Sequence, residues 1–132
     1  MTLAAANKSL EGPILDSGPA NVPVGLPDHE FDVVAPSIQM YIRDGVADIA
    51  SLGAPASNLV RYTGVVIFTI FTEGGKGRAE AAGYAETIKT AYLNKQLGEV
   101  VTKAPYPQDR EQDGNFYSMN VVVPFHRDTY EA

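Results

Sequence analysis

The chain has 132 residues, 45% hydrophobic and 20% charged, with no cysteine and a formal net charge of −6. This is the size and composition of one globular domain, and it excludes a disulfide framework, a thiolate metal site, an iron–sulfur cluster and a cysteine nucleophile. The acidic balance argues against free binding to DNA or to an anionic membrane, and no apolar run reaches the roughly 18 residues that span a bilayer.

The first eight residues, Met-Thr-Leu-Ala-Ala-Ala-Asn-Lys, have no basic stretch leading into a long apolar core, so no secretory signal is expected. Residues 1–36 hold five of the nine prolines (Pro13, Pro19, Pro23, Pro27, Pro36), with Gly12, Gly18 and Gly25 between them. Proline fixes φ and removes a backbone donor, so neither a central strand nor a long helix is expected. The segment reads as an extended arm. It has one helical turn over Leu3–Leu10 and edge pieces at Ile14–Leu15 and Phe31–Val34, laid on its own domain or on a neighbour. This half is also the acidic one. Residues 1–60 carry two bases, Lys8 and Arg43, against seven acids, whereas residues 61–132 carry eight bases against nine.

Residues 37–43 alternate, with Ile38, Met40 and Ile42 against Gln39, Tyr41 and Arg43, the period of a half-buried strand. Residues 44–58, with Gly45, Gly53, Pro55, Asp44 and Asp48, read as a long loop or hairpin tip. Residues 60–72 are apolar on both faces: Val66, Phe68 and Ile70 on one, Val65, Ile67 and Phe71 on the other. That marks a central strand. Glu73–Gly77 ends it. A helix over about residues 77–96 follows, with Ala81, Tyr84, Ala85, Ile88 and Tyr92 as its apolar stripe and Gly98 as its cap. Residues 99–104 and 115–125 read as a hairpin joined by a polar loop. Tyr117, Met119, Val121, Val123 and Phe125 share one face of its second strand, opposite Ser118 and Asn120.

These elements predict an α+β fold: an antiparallel sheet of about four main strands, with one helix packed on one face, over residues 37–132. One helix covers one face. Val65, Ile67 and Phe71 lie on the other, so the arm and a second subunit are expected to cover them.

No catalytic constellation emerges, and an enzyme is not expected. Gly75-Lys76-Gly77-Arg78-Ala79-Glu80 follows a strand and opens a helix, but Glu80 stands where a dinucleotide fingerprint needs a third glycine, and the Walker spacing is absent. Asp109–Gly114 begins like a calcium loop, yet its twelfth position is Asn120 instead of glutamate. His29 and His126 have no second imidazole at metal spacing. No Gly-x-Ser-x-Gly turn is present, and Asp44 and Asp48 read as solvated loop acids. No cofactor and no metal are expected.

Three segments together resemble a known family. They are Arg61–Gly77, which opens Arg-x-x-Gly and continues through an apolar strand into a glycine-rich turn; the alanine-rich helix ending Ala85-Glu-Thr-Ile-Lys; and Gly114–Phe125, an aromatic strand ending Pro-Phe. The pattern is similar to the tail terminator, or tail-completion, proteins of long-tailed bacteriophages and related gene-transfer particles. It covers about residues 30–128. Many relatives begin with a clear amphipathic helix, where this chain has its proline-rich stretch.

The resemblance implies a structural virion protein in the neck of the tail, assembled in the host cytoplasm. It would form a hexameric ring on the head-proximal end of the tail tube, stop tube growth and present a docking surface for the head. Its partners would be copies of itself, the tail tube protein and a head–tail connector or stopper protein. DNA would pass through the lumen without specific binding, repelled by an acidic wall. Candidate contacts are Asp44, Asp48 and Leu52 in a loop projecting toward tube or connector, and Arg61, Val65, Ile67, Phe71, Glu73, Lys76 and Arg78 on the central strand and its turn. The alternatives are another neck, connector or tail-tube component and, from a different class, a small nucleotide-binding enzyme using the Gly74–Gly77 loop.

Overall fold

The computed structural model describes residues 3–18, 22–27, 36–51, 58–73, 79–109 and 116–131. In chain order the elements are α1 (Leu3–Ser17), β1 (Val24–Gly25), β2 (Ser37–Ser51), β3 (Asn58–Glu73), α2 (Ala79–Tyr92), β4 (Gln96–Leu97), β5 (Val100–Thr102), β6 (Tyr106–Asp109) and β7 (Phe116–Glu131). The described strands form one sheet in the order β1-β2-β3-β7-β5-β4, with β6 also paired to β7. The class is α+β, as the sequence implies. The content differs from the expected four strands and one helix: seven strands and two helices are present among the described residues.

Three long strands make the scaffold. β3 is paired on both edges, antiparallel to β2 and to β7, and its register with β7 runs unbroken from Asn58↔Glu131 to Glu73↔Phe116. Its alternating apolar pattern therefore belongs to a central strand. β2 extends past the expected strand end at residue 43, pairing Ile49 with Val60 and Ser51 with Leu59. The stretch expected to be a loop from residue 44 is thus strand as far as Ser51, and residues 52–57 lie outside the described residues. Register breaks between Asp44 and Ala47 and between Ile49 and Ser51 explain the misreading. Each shifts the alternation, and an outer strand tolerates the glycine and acids that accompany it.

The arm is also corrected. Leu3–Ser17 is helical with Pro13 inside it, so residues 1–36 are not an extended arm throughout. Ala6, Leu10 and Ile14 recur every four residues and are buried, and this tertiary anchoring outweighs the proline penalty. After it, β1 pairs in parallel with Ile38 and Gln39 of β2. The edge piece expected at Phe31–Val34 and the turn at Gly74–Arg78 lie outside the described residues.

The core lies between the two helices and one sheet face. It joins Ala6, Leu10 and Ile14 of α1 and Ala81, Ala85, Ile88 and Tyr92 of α2 to Ile38, Met40, Val66, Phe68, Ile70, Met119, Val121, Val123 and Phe125. Tyr92 meets Phe68 with ring centroids 5.0 Å apart. α2 stops at Tyr92. Its carbonyl accepts from the Thr102 hydroxyl at 2.6 Å, which in turn accepts the Lys95 N–H at 2.8 Å. Asn94 takes the left-handed conformation after the helix (φ 51°), whereas Gly98, expected to be the cap, turns the chain between β4 and β5 (φ 67°). The connection expected to be a polar loop contains β6, where Pro107 is tolerated on an outer strand.

Candidate assembly interface

Both helices bury their apolar stripes on the same side of the sheet, so the opposite side defines the candidate site. Register places its rows. Tyr41 of β2, Ile67 of β3, Val122 of β7 and Tyr106 of β6 stand in line across four strands. The next row is Arg43, Val65 and Pro124, and the preceding one is Gln39, Thr69, Asn120 and Gln108. The Thr69 hydroxyl donates to Asn120 Oδ1 at 2.9 Å, which ties β3 to β7 on this face. Val65 and Ile67 are half-buried and lie outside the hydrophobic core; Phe71 is half-buried too. Tyr41 and Tyr106, at opposite ends of the row, are 48% and 49% exposed. A shallow groove of about 670 Å³ opens here, lined by Tyr41, Ile42, Arg43, Asp44, Ile67, Thr69 and Asn120.

Two rows beyond Val65 along this face the surface becomes ionic. Asp48, Arg61 and Asp128 are register partners across β2, β3 and β7. Arg61 donates through Nε (2.8 Å) and Nη2 (2.9 Å) to the two carboxylate oxygens of Asp128, a bidentate pair. Those hydrogen bonds hold the Asp128 carboxyl below its ordinary range and the Arg61 guanidinium above its own. His126 stands between the rows, opposite Thr63. Burial pushes its imidazole down, and Arg61 and Lys103 add to that while Asp128 opposes it.

The sequence-derived candidates separate into three groups. Asp44 lies exposed in the groove wall beside the β2 irregularity, not in a free loop. Asp48 is the backbone register partner of Arg61. Arg61, Val65, Ile67 and Phe71 share one face of β3, and Glu73 ends that strand with an exposed side chain. Leu52, Lys76 and Arg78 lie outside the described residues.

Sequence reasoning missed Tyr41, Tyr106 and Asp128. The first two stand out only once the strand register is known. Asp128 carries a signal, an acid on a strand the alternation could extend, but it lies beyond the expected end at residue 125, and the strand runs six residues further to Glu131. A second feature was also missed: the Arg127 guanidinium stacks 4.4 Å from the Tyr62 ring centroid on the helix side, at a crevice of about 280 Å³ reaching Ala6 and Asn7.

Among the described residues, no three histidine, aspartate or glutamate side chains gather as a metal site, and no helix is long and apolar enough to cross a membrane. No family model matches the chain, and no curated protein matches it. Solved structures do match. One, whose name describes no activity, is 11% identical and superposes with a TM-score of 0.72, covering 100% of this chain and 99% of that chain. That likeness is one of fold.

Proposed function

We propose that this chain is a tail terminator of a long-tailed phage or gene-transfer particle, acting as a ring of about six copies on the head-proximal end of the tail tube. The observation that carries the reading is the two-sided sheet. Both helices serve one face, while the other presents Val65, Ile67 and the exposed Tyr41 outside the core. An apolar face of this kind calls for a protein partner.

Two further observations support it. A helix, α1, precedes the sheet, as in many relatives of the resembled family. The Arg-x-x-Gly and Pro-Phe segments that carry the resemblance meet across β3 and β7, so they act as one structural unit. In this reading the ring stops tube growth, meets the tail tube on one side and the connector or stopper on the other, and lets DNA slide past an acidic wall. The test is particle assembly without this chain. Tails of uncontrolled length that fail to join heads are expected, with about six copies of the chain in each intact virion. Normal tails in its absence would reject the proposal.

A further inference from the structure

The ring reading leaves open which surfaces meet, and this inference rests on that reading. The β6 edge is a poor joint. The Ile38 N–H points outward to the Pro23 carbonyl, and counting the alternation across β3 and β7 to β6 directs the Pro107 nitrogen outward as well. Proline has no hydrogen to donate there, the usual guard against edge-to-edge pairing. The groove on the outer face carries no such guard. It combines apolar Tyr41 and Ile67 with the exposed cation Arg43; the acid Asp44 also borders it, but register puts Asp44 in the row of Gly64, which alternates to the helix side.

The complement to that groove lies on the far side of the same molecule. Leu15, near the end of α1, is 61% exposed. Asp16 beside it is exposed too, and the last turn of α1 has no basic residue. The C-terminal end of a helix already carries partial negative charge, so a carboxylate placed there raises the helix's free energy until a cation meets it. Apolar Leu15 with anionic Asp16 matches apolar Tyr41 and Ile67 with cationic Arg43. One chain cannot bring the two together, since α1 packs on the opposite side of the sheet.

We infer that the end of α1 of one copy, through Leu15 and Asp16, seats in the outer-face groove at Tyr41, Arg43 and Ile67 of the next. Such a contact joins two different surfaces, which is the heterologous type that closes rings.

Two sets of variants test it, with the assembly mass in solution measured for each. Asp16→Arg and Arg43→Glu are surface changes and should leave the melting temperature near that of the unmodified chain. Each alone should shift the assembly toward single-chain mass, and the double variant should restore it. Because the chain has no cysteine, Leu15→Cys and Tyr41→Cys can be mixed under mild oxidation. A two-chain band is expected in the mixture and not from either variant alone. A ring mass that survives both single charge reversals, or a ring with no mixed crosslink, overturns this seating and leaves the ring itself standing. An unmodified chain that stays single and never crosslinks overturns this seating, whereas the ring reading falls only if tails assemble normally without the chain.

Discussion

Gly64 and Phe125 are cross-strand partners on β3 and β7, and the phenyl ring occupies the space a side chain at position 64 would need. A Cβ there would stand 2.7 Å from Phe125 Cζ and 2.8 Å from the Arg43 carbonyl oxygen on the other neighbouring strand. Three residues away along the same two strands, Arg61 clasps Asp128. The Arg-x-x-Gly spacing thus sets an ionic clasp and an aromatic-covered glycine three positions apart on one ladder. Gly64→Ala pushes against backbone on one side and a buried ring on the other. The expected loss is about 1–3 kcal/mol, as for overpacked cores, read as a lower denaturant midpoint with unchanged slope. Trimming the ring as well, in Gly64→Ala with Phe125→Leu, should lose less than the two single changes added together.

Much of this scaffold was legible because burial has a period. The strand over residues 60–72 and the stripe from Ala81 to Tyr92 follow from spacing alone, and the core takes Val66, Phe68 and Ile70 from the first and Ala81, Ala85, Ile88 and Tyr92 from the second. The rest depended on context that spacing does not carry. Pro13 argued against a helix until Leu10 and Ile14 found a core to enter. Asp44 and Gly45 argued for a loop, although an outer strand with a register break accepts both. Of the candidate contacts, Val65 and Ile67 were readable from their surplus of apolar character. Tyr41 and Tyr106 were not, because their alignment with Ile67 depends on pairings between distant segments.

The half-buried position of Ile67 separates folding from assembly. Ile67→Lys places a charge on the outer face, where the long aliphatic stem can still lie along its neighbours and the ammonium can reach water. The melting temperature should drop only modestly. Assembly mass should fall to that of a single chain, since an apolar contact between subunits would have to bury that charge. Light scattering beside a thermal melt checks both halves. The matching change on the core side, Phe68→Lys, should prevent folding outright.

The ionic row sets two pH windows. Asp128 titrates below its ordinary value in the fold, so its contribution is present above about pH 3.8 and is lost as pH falls through the lower folded value. The clasp is solvent-exposed and screened, so this window should be shallow. His126 is also lowered, chiefly by burial, and the fold therefore favours the neutral ring. Its effect is favourable above pH 6.5, the ordinary value, and weakens as pH falls from there toward the folded value. His126→Gln should flatten the dependence of melting temperature on pH in that range. Asp128→Asn removes the one neighbour that raises the imidazole and leaves Arg61 and Lys103, so its NMR titration midpoint should move further down.

The hydroxyl of Tyr92 is inserted into α1. It donates to the Leu10 carbonyl at 2.6 Å and accepts the Ile14 N–H at 3.1 Å, a pair that a regular helix joins directly. Pro13 stands one residue before Ile14 and already deprives Ser9 of its helical donor, so this turn depends on α2 for its hydrogen bonding. Tyr92→Phe keeps the ring against Phe68 and allows Leu10 and Ile14 to approach each other, so a loss of about 1 kcal/mol is expected. Tyr92→Ala also empties a fully buried site and should lose about 3–5 kcal/mol, with α1 detaching first in hydrogen exchange. Burial pushes the phenol well above its ordinary 10.0. The fold therefore holds Tyr92 neutral and loses stability as pH rises past that value. In a spectrophotometric titration this tyrosine should ionise only as the chain unfolds, and that late step should be missing from Tyr92→Phe.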